Sequence, residues 1–142
     1  MSNEKQELGR KIRERFNTQW ATFSPTYDLY FSGIAVPQSV INGDNPWVRL
    51  TINWGDTVQV GIQSAGRRKR TIGVAQVQIF VPINTGDGLG IELADRVADV
   101  WEMSTIETVI FRATSIQRVG EEGAWLQFNA NTPFQGDTLV TS

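Results

Sequence analysis

Residues 69–101 read KRTIGVAQVQIFVPINTGDGLGIELADRVADVW, and how that stretch is read decides the fold. Side chains of an extended chain alternate between two faces. Gly73, Ala75, Val77, Ile79 and Val81 therefore share one side, and Val74, Gln76, Gln78 and Phe80 share the other, so an apolar face backs onto one that is partly amide. Pro82 cannot donate to a strand ladder and closes the run. Thr85-Gly86-Asp87-Gly88 supplies turn chemistry: glycine takes positive φ at little cost, and a Thr or Asp oxygen can accept the first free N–H groups of a helix. Leu93, Val97, Val100 and Trp101 then recur at helical spacing, with Glu92, Asp95, Arg96, Asp99 and Glu102 on the remaining surface. The stretch is a strand, a tight break and an amphipathic helix, with no catalytic side chain along it.

Upstream, residues 64–70 read as the tip of a long excursion leading into that strand, and Val58 to Ile62 as a separate short strand turned by Gly55-Asp56. Trp47 to Trp54 alternates cleanly, Val48, Leu50, Ile52 and Trp54 against Trp47, Arg49, Thr51 and Asn53. A polar, proline-containing passage separates it from a short aromatic strand at Tyr27 to Phe31. The N-terminal segment repeats Leu8, Ile12, Phe16 and Trp20 every four residues between basic side chains, which predicts a helix lying on a sheet and closed by Ser24-Pro25. Downstream, residues 107–118 and Ala124 to Ala130 read as a hairpin around Gly120 to Gly123, and residues 135–142 as a mobile tail with little to pack. The expected fold is α+β: one domain over residues 1–142, with two helices packed on a mostly antiparallel β-sheet.

A chain of 142 residues with five Trp and seven Phe can bury a core without covalent staples. It has no Cys and no His, which excludes disulfides, Cys-His and Ser-His-Asp catalysis and every histidine-bearing zinc site. No enzymatic activity, metal or cofactor is expected. The absence of a long apolar run argues against a membrane partner and for a protein used in the cytoplasm.

Net charge is −2 but unevenly spread: ten Lys/Arg face six Asp/Glu through Thr85, and three face nine from Gly86 onward. Opposite charges on different surfaces would favour head-to-tail contact between copies. Arg67, Arg68, Lys69 and Arg70 form the densest cluster and could meet phosphates or an acidic protein patch. Gly86-x-Gly88-x-Gly90 lacks the spacing and the lysine of a phosphate cradle and reads as turn and cap. Asp95, Asp99 and Glu102 lie along one side of a helix and read as a wet face rather than a cation site.

Several features coincide: the basic amphipathic first helix, Asn45-Pro46-Trp47 opening a strand, Ile72-Gly73 through Val77-Gln78-Ile79-Phe80-Val81-Pro82, Gly86-Asp87-Gly88, Leu93-Ala94-Asp95-Arg96-Val97, Val119-Gly120, Trp125-Leu126-Gln127-Phe128-Asn129 and Thr132-Pro133-Phe134. Together they resemble the tail-terminator-like proteins of long-tailed bacteriophages, the lambda tail terminator family. The resemblance implies a structural protein of the virion tail, assembled in the host cytoplasm. It would form a homo-oligomeric, hexameric ring that caps the tail tube, ends its polymerisation and offers a surface for head–neck joining. Its partners would be the tail tube protein and a neck or connector protein, with DNA close to the lumen. A head–tail connector of similar fold is the alternative, and a nucleic-acid-binding module using the basic first helix and Arg67 to Arg70 a remoter one. Arg67, Arg68, Lys69, Arg70, Gln76 and Gln78 are the expected assembly-interface residues.

Overall fold

A computed structural model of the chain describes residues 4–63, 66–103 and 109–140. Its elements are α1 (Glu4–Trp20), β1 (Asp28–Phe31), α2 (Gln38–Ile41), β2 (Trp47–Gln63), β3 (Gly66–Pro82), α3 (Asp87–Met103), β4 (Val109–Phe111), β5 (Ser115–Glu122) and β6 (Trp125–Val140), with a 3-10 turn at Ile83–Thr85. The strands make one sheet in the order β1-β2-β3-β6-β4, and β5 lies beside β6 next to β4. Only β1 and β2 run parallel; every other pair is antiparallel. The fold is α+β, as the sequence implies.

The two long helices share one face of the sheet. Val48 and Leu50 of β2, Ala75, Val77, Ile79 and Val81 of β3, and Leu126, Phe128, Ala130 and Phe134 of β6 all point there, and join Leu8, Ile12, Phe16 and Trp20 of α1 and Leu93, Val97, Val100 and Trp101 of α3 in one core. Each fully buried aliphatic or aromatic side chain in it is worth roughly 1.5–3 kcal/mol, more than helix propensity supplies to α1 or α3. Phe16 ties the two helices together, with ring centroids 5.6 Å from Trp20 and 5.3 Å from Trp101. Small residues let the layers approach: a Cβ on Gly136 would sit 2.6 Å from the Leu8 side chain. The Gly86-x-Gly88-x-Gly90 run divides its labour, Gly86 taking φ +76° ahead of α3 and Gly90 leaving room for the Phe128 ring. Its last glycine serves packing, which the reading as turn and cap does not include.

Four stretches differ from the sequence expectation. Gly55-Asp56 does not turn the chain: β2 continues to Gln63, absorbing extra residues at bulges between Trp54 and Thr57 and between Gln59 and Gly61. Residues 66–70 belong to β3 rather than to a loop tip, because β6 extends far enough to pair them. Arg67 stands opposite Val140 and Arg70 opposite Asp137, so residues 135–140 are strand and not a loose tail. The 107–118 segment divides at residues 112–114 into β4 and β5, the chain there held to β6 by Arg112 N donating to Pro133 O at 2.8 Å. The excursion residues 64–65, the strand start at 107–108 and the side chains of Arg67 and Thr85 lie outside the described residues.

Candidate assembly interface

Among the described residues no long helix covers the second face of the sheet. Its rows follow from the strand register. Arg68 and Arg70 of β3 stand beside Asp137; then come Ile72 with Gln135, Val74 with Asn53 and Pro133, Gln76 with Thr51 and Asn131, Gln78 with Arg49 and Asn129, and Phe80 with Trp47 and Gln127. Ser115 and Gln117 of β5 extend the Gln76 and Gln78 rows. The face therefore has three zones along β3: a basic end, an amide-rich centre and an aromatic end.

At the basic end, one carboxylate holds two guanidinium groups. Arg70 Nε donates to Asp137 Oδ1 at 2.9 Å, and Arg68 Nε donates to Oδ2 at 3.1 Å. The hydrogen bond from Arg70, aided by that from Arg68, draws the Asp137 carboxyl below the ordinary carboxylate range against the opposing effect of burial, and Arg70 is raised in turn. Apolar side chains surround this pair: Val58, Ile72 and Ile110 are 52%, 48% and 58% exposed. Lys69 falls on the opposite face by alternation. Of the four expected basic residues, Arg68 and Arg70 are thus brought together on the open face and Lys69 is separated from them. Asp137 was not legible from the sequence, since it lies 67 residues from Arg70 in a segment that reads as a tail.

In the centre, Gln76, Gln78, Asn129, Asn131, Gln127 and Thr51 are half-buried. Arg49 Nε donates to Gln78 Oε1 at 2.7 Å, and Gln127 Nε2 to Asn129 Oδ1 at 3.0 Å. Among the described residues of the Val74, Gln76 and Gln78 rows, Arg49 is the only charged side chain on β2, β3, β5 and β6. Amides offer donors and acceptors together without the desolvation cost of a charge. Surfaces that meet other proteins are poor in Lys, Asp and Glu, and the centre shares that depletion on β2, β3, β5 and β6.

At the aromatic end, Trp47 stacks on Phe80 with centroids 4.1 Å apart and planes at 14°, and meets Tyr30 and Trp125 edge to face. The Arg49 guanidinium lies 5.8 Å from both the Trp47 and Phe80 ring centres. The connection from β1 to the parallel β2 reaches this end through α2, where Trp125 Nε1 donates to Ile41 O at 3.0 Å. Between them opens a cleft of about 410 Å³ lined by Ile41, Trp47, Phe80, Glu122, Ala124 and Trp125, among others. Trp47 is 5% exposed, and its indole N–H is buried without a hydrogen-bond partner among the described residues.

The other candidates are plainer. Among the described residues no group of acidic side chains is placed to hold a metal ion, and Asp95, Asp99 and Glu102 are exposed on α3. No helix among them is long and apolar enough to cross a membrane.

No family model matches the chain, and no curated protein matches it. A solved chain whose name states no function is similar over 94% of this chain and 98% of its own length, at 16% identity and a TM-score of 0.60. At that identity the likeness shows the fold alone.

Proposed function

We propose that this chain is a structural assembly subunit of a bacteriophage tail, of terminator type. Copies close into a ring, six in number, that caps the tail tube at its neck end, stops further tube subunits from adding and presents a surface to the neck. The observation that carries the reading is the open sheet face. Its central rows on β2, β3, β5 and β6 hold amides and one arginine, with neither lysine nor carboxylate, over a length that a solvated surface would normally stud with charge. A terminator must bind the last tube ring and refuse another tube subunit, so its two ends must differ in complementarity. The sheet's basic and aromatic ends differ in that way. Arg68 and Arg70 already share Asp137, which satisfies part of the charge a nucleic acid would otherwise meet.

The decisive experiment measures the mass of the species in solution with and without tube protein, and tube growth in its presence. The reading expects a closed oligomer and arrested tubes. A strict monomer that leaves tube polymerisation unchanged overturns it.

A further inference from the structure

The cleft at the aromatic end and the patch at the basic end are complementary, and they lie at opposite ends of the same strand. From Arg68 to Pro82 β3 spans roughly 45 Å at the usual rise per residue. The cleft wall is Trp47, Phe80, Trp125 and Ile41, with Glu122 at its rim. Asn42 also lines it, and the exposed Asp44 follows two residues later in the same loop. The other end offers the converse: exposed Val58, Ile72 and Ile110 set beside Arg68 and Arg70. Apolar groups of this size fit a cleft of about 410 Å³, while the guanidinium groups reach its acidic rim.

Intramolecular contact between the two is ruled out by the rigid strand that separates them. We propose that the occupant of the cleft is the basic end of the sheet of a second copy of this chain, seated so that Val58 and Ile72 enter the aromatic wall and Arg68 faces Glu122. The proposal rests on the assembly reading above and names the contact that would build the ring. Each subunit then presents one acid-rimmed cleft and one basic patch, two different surfaces, and a contact of that kind propagates from copy to copy until the ring closes.

A charge exchange tests it. One variant carries Asp44→Lys and Glu122→Lys, and a second carries Arg68→Glu and Arg70→Glu. Each alone is expected to lose assembly by at least tenfold in concentration, since like charges then meet at every contact. Mixed one to one they are expected to recover it, because each altered cleft meets an altered patch and each natural cleft a natural one. The substitution of Arg68 beside Asp137 could disturb the sheet, so circular dichroism and thermal melting accompany the mass measurement. Ala124→Trp, at an exposed cleft position, supplies an independent variant that fills the cleft while leaving the fold in place.

Failure of this contact and failure of the terminator reading are distinguishable. If the natural protein assembles and arrests tubes but neither charge variant nor Ala124→Trp changes its mass, the contact is overturned and the terminator reading stands. If Ala124→Trp leaves the mass intact and abolishes tube arrest, the occupant is the tube and the second-copy proposal falls. Recovery on mixing that stops at two copies supports the contact and overturns the ring. A natural protein that is monomeric at all concentrations overturns both.

Discussion

Gly90 on α3 lies so close to Phe128 on β6 that a Cβ at that glycine would sit 2.1 Å from the ring carbon Cε2. Phe128 is 2% exposed and fills the core beneath the helix, so neither partner has room to yield. Gly90→Ala is therefore expected to destabilise the fold by about 1–3 kcal/mol, the usual cost of overpacking. Gly88, two residues earlier, has nothing within 4 Å of its Cβ position. Gly88→Ala should be neutral or stabilising by up to about 1 kcal/mol, because alanine is the better helix residue. Urea denaturation of the two variants checks the contrast, and equal effects would show that α3 does not press on the sheet at Gly90.

The Asp137 pair gives the acid limb of stability a specific source. Its carboxyl is drawn below the usual range by Arg70 and Arg68, so in the folded state it stays ionised at a pH where the unfolded chain has begun to protonate. The stabilisation is complete above the unfolded carboxylate value of about 3.9 and is lost as pH falls through the lower folded value. Asp137→Asn should cost on the order of 1 kcal/mol at neutral pH, since its arginine partners are partly solvated, and should flatten the stability profile below about pH 4. An unchanged acid profile in the variant would mean that the pair is open in solution.

How far these features can be read from the chain depends on whether they are local. Period-two alternation exposed the Trp47–Trp54 and Gly73–Val81 strands and assigned Gln76 and Gln78 to the face away from the helices, because one strand alone carries that information. Beyond Trp54 the bulges insert residues and break the alternation, so the continuation of β2 to Gln63 looks like a turn and a new strand. The first residues of β3 and the last of β6 stabilise one another, and neither Arg67–Arg70 nor residues 135–140 announce it separately. The aromatic cleft was likewise hidden. It is assembled from Ile41, Trp47, Phe80 and Trp125, which no short-range pattern brings together.

Trp125 anchors the wall of that cleft. Its indole N–H donates to Ile41 O at 3.0 Å and so fastens the four-residue α2 to the open face. Trp125→Phe keeps most of the apolar surface and removes that bond, at an expected cost of about 0.5–1.5 kcal/mol. Hydrogen exchange should then quicken for Val40 to Gly43, whose amide N–H groups close the turns of α2. The amides of β3 should keep their protection. Loss of protection throughout the sheet would instead make Trp125 part of the global core.

Gln76 and Gln78 separate the stability of the subunit from its assembly. Gln76 stands between Thr51 and Asn131, half-buried and without a charged neighbour across the strands. Gln76→Lys can send its ammonium to water in the isolated subunit and should change stability by less than about 0.5 kcal/mol. Buried against a second protein surface, the same ammonium loses its water and costs about 3–5 kcal/mol unless paired. The variant should therefore melt like the natural protein yet migrate as a 15.9 kDa monomer at concentrations where the natural chain assembles. Gln78→Glu behaves differently, because Arg49 Nε already lies 2.7 Å from Oε1 and the new carboxylate gains an ion pair within the subunit. It should raise the melting temperature slightly and weaken assembly less than Gln76→Lys does. Light scattering and thermal melting on the same samples provide both readouts, and a Gln76→Lys protein that assembles normally would remove the amide centre of the open face from the interface.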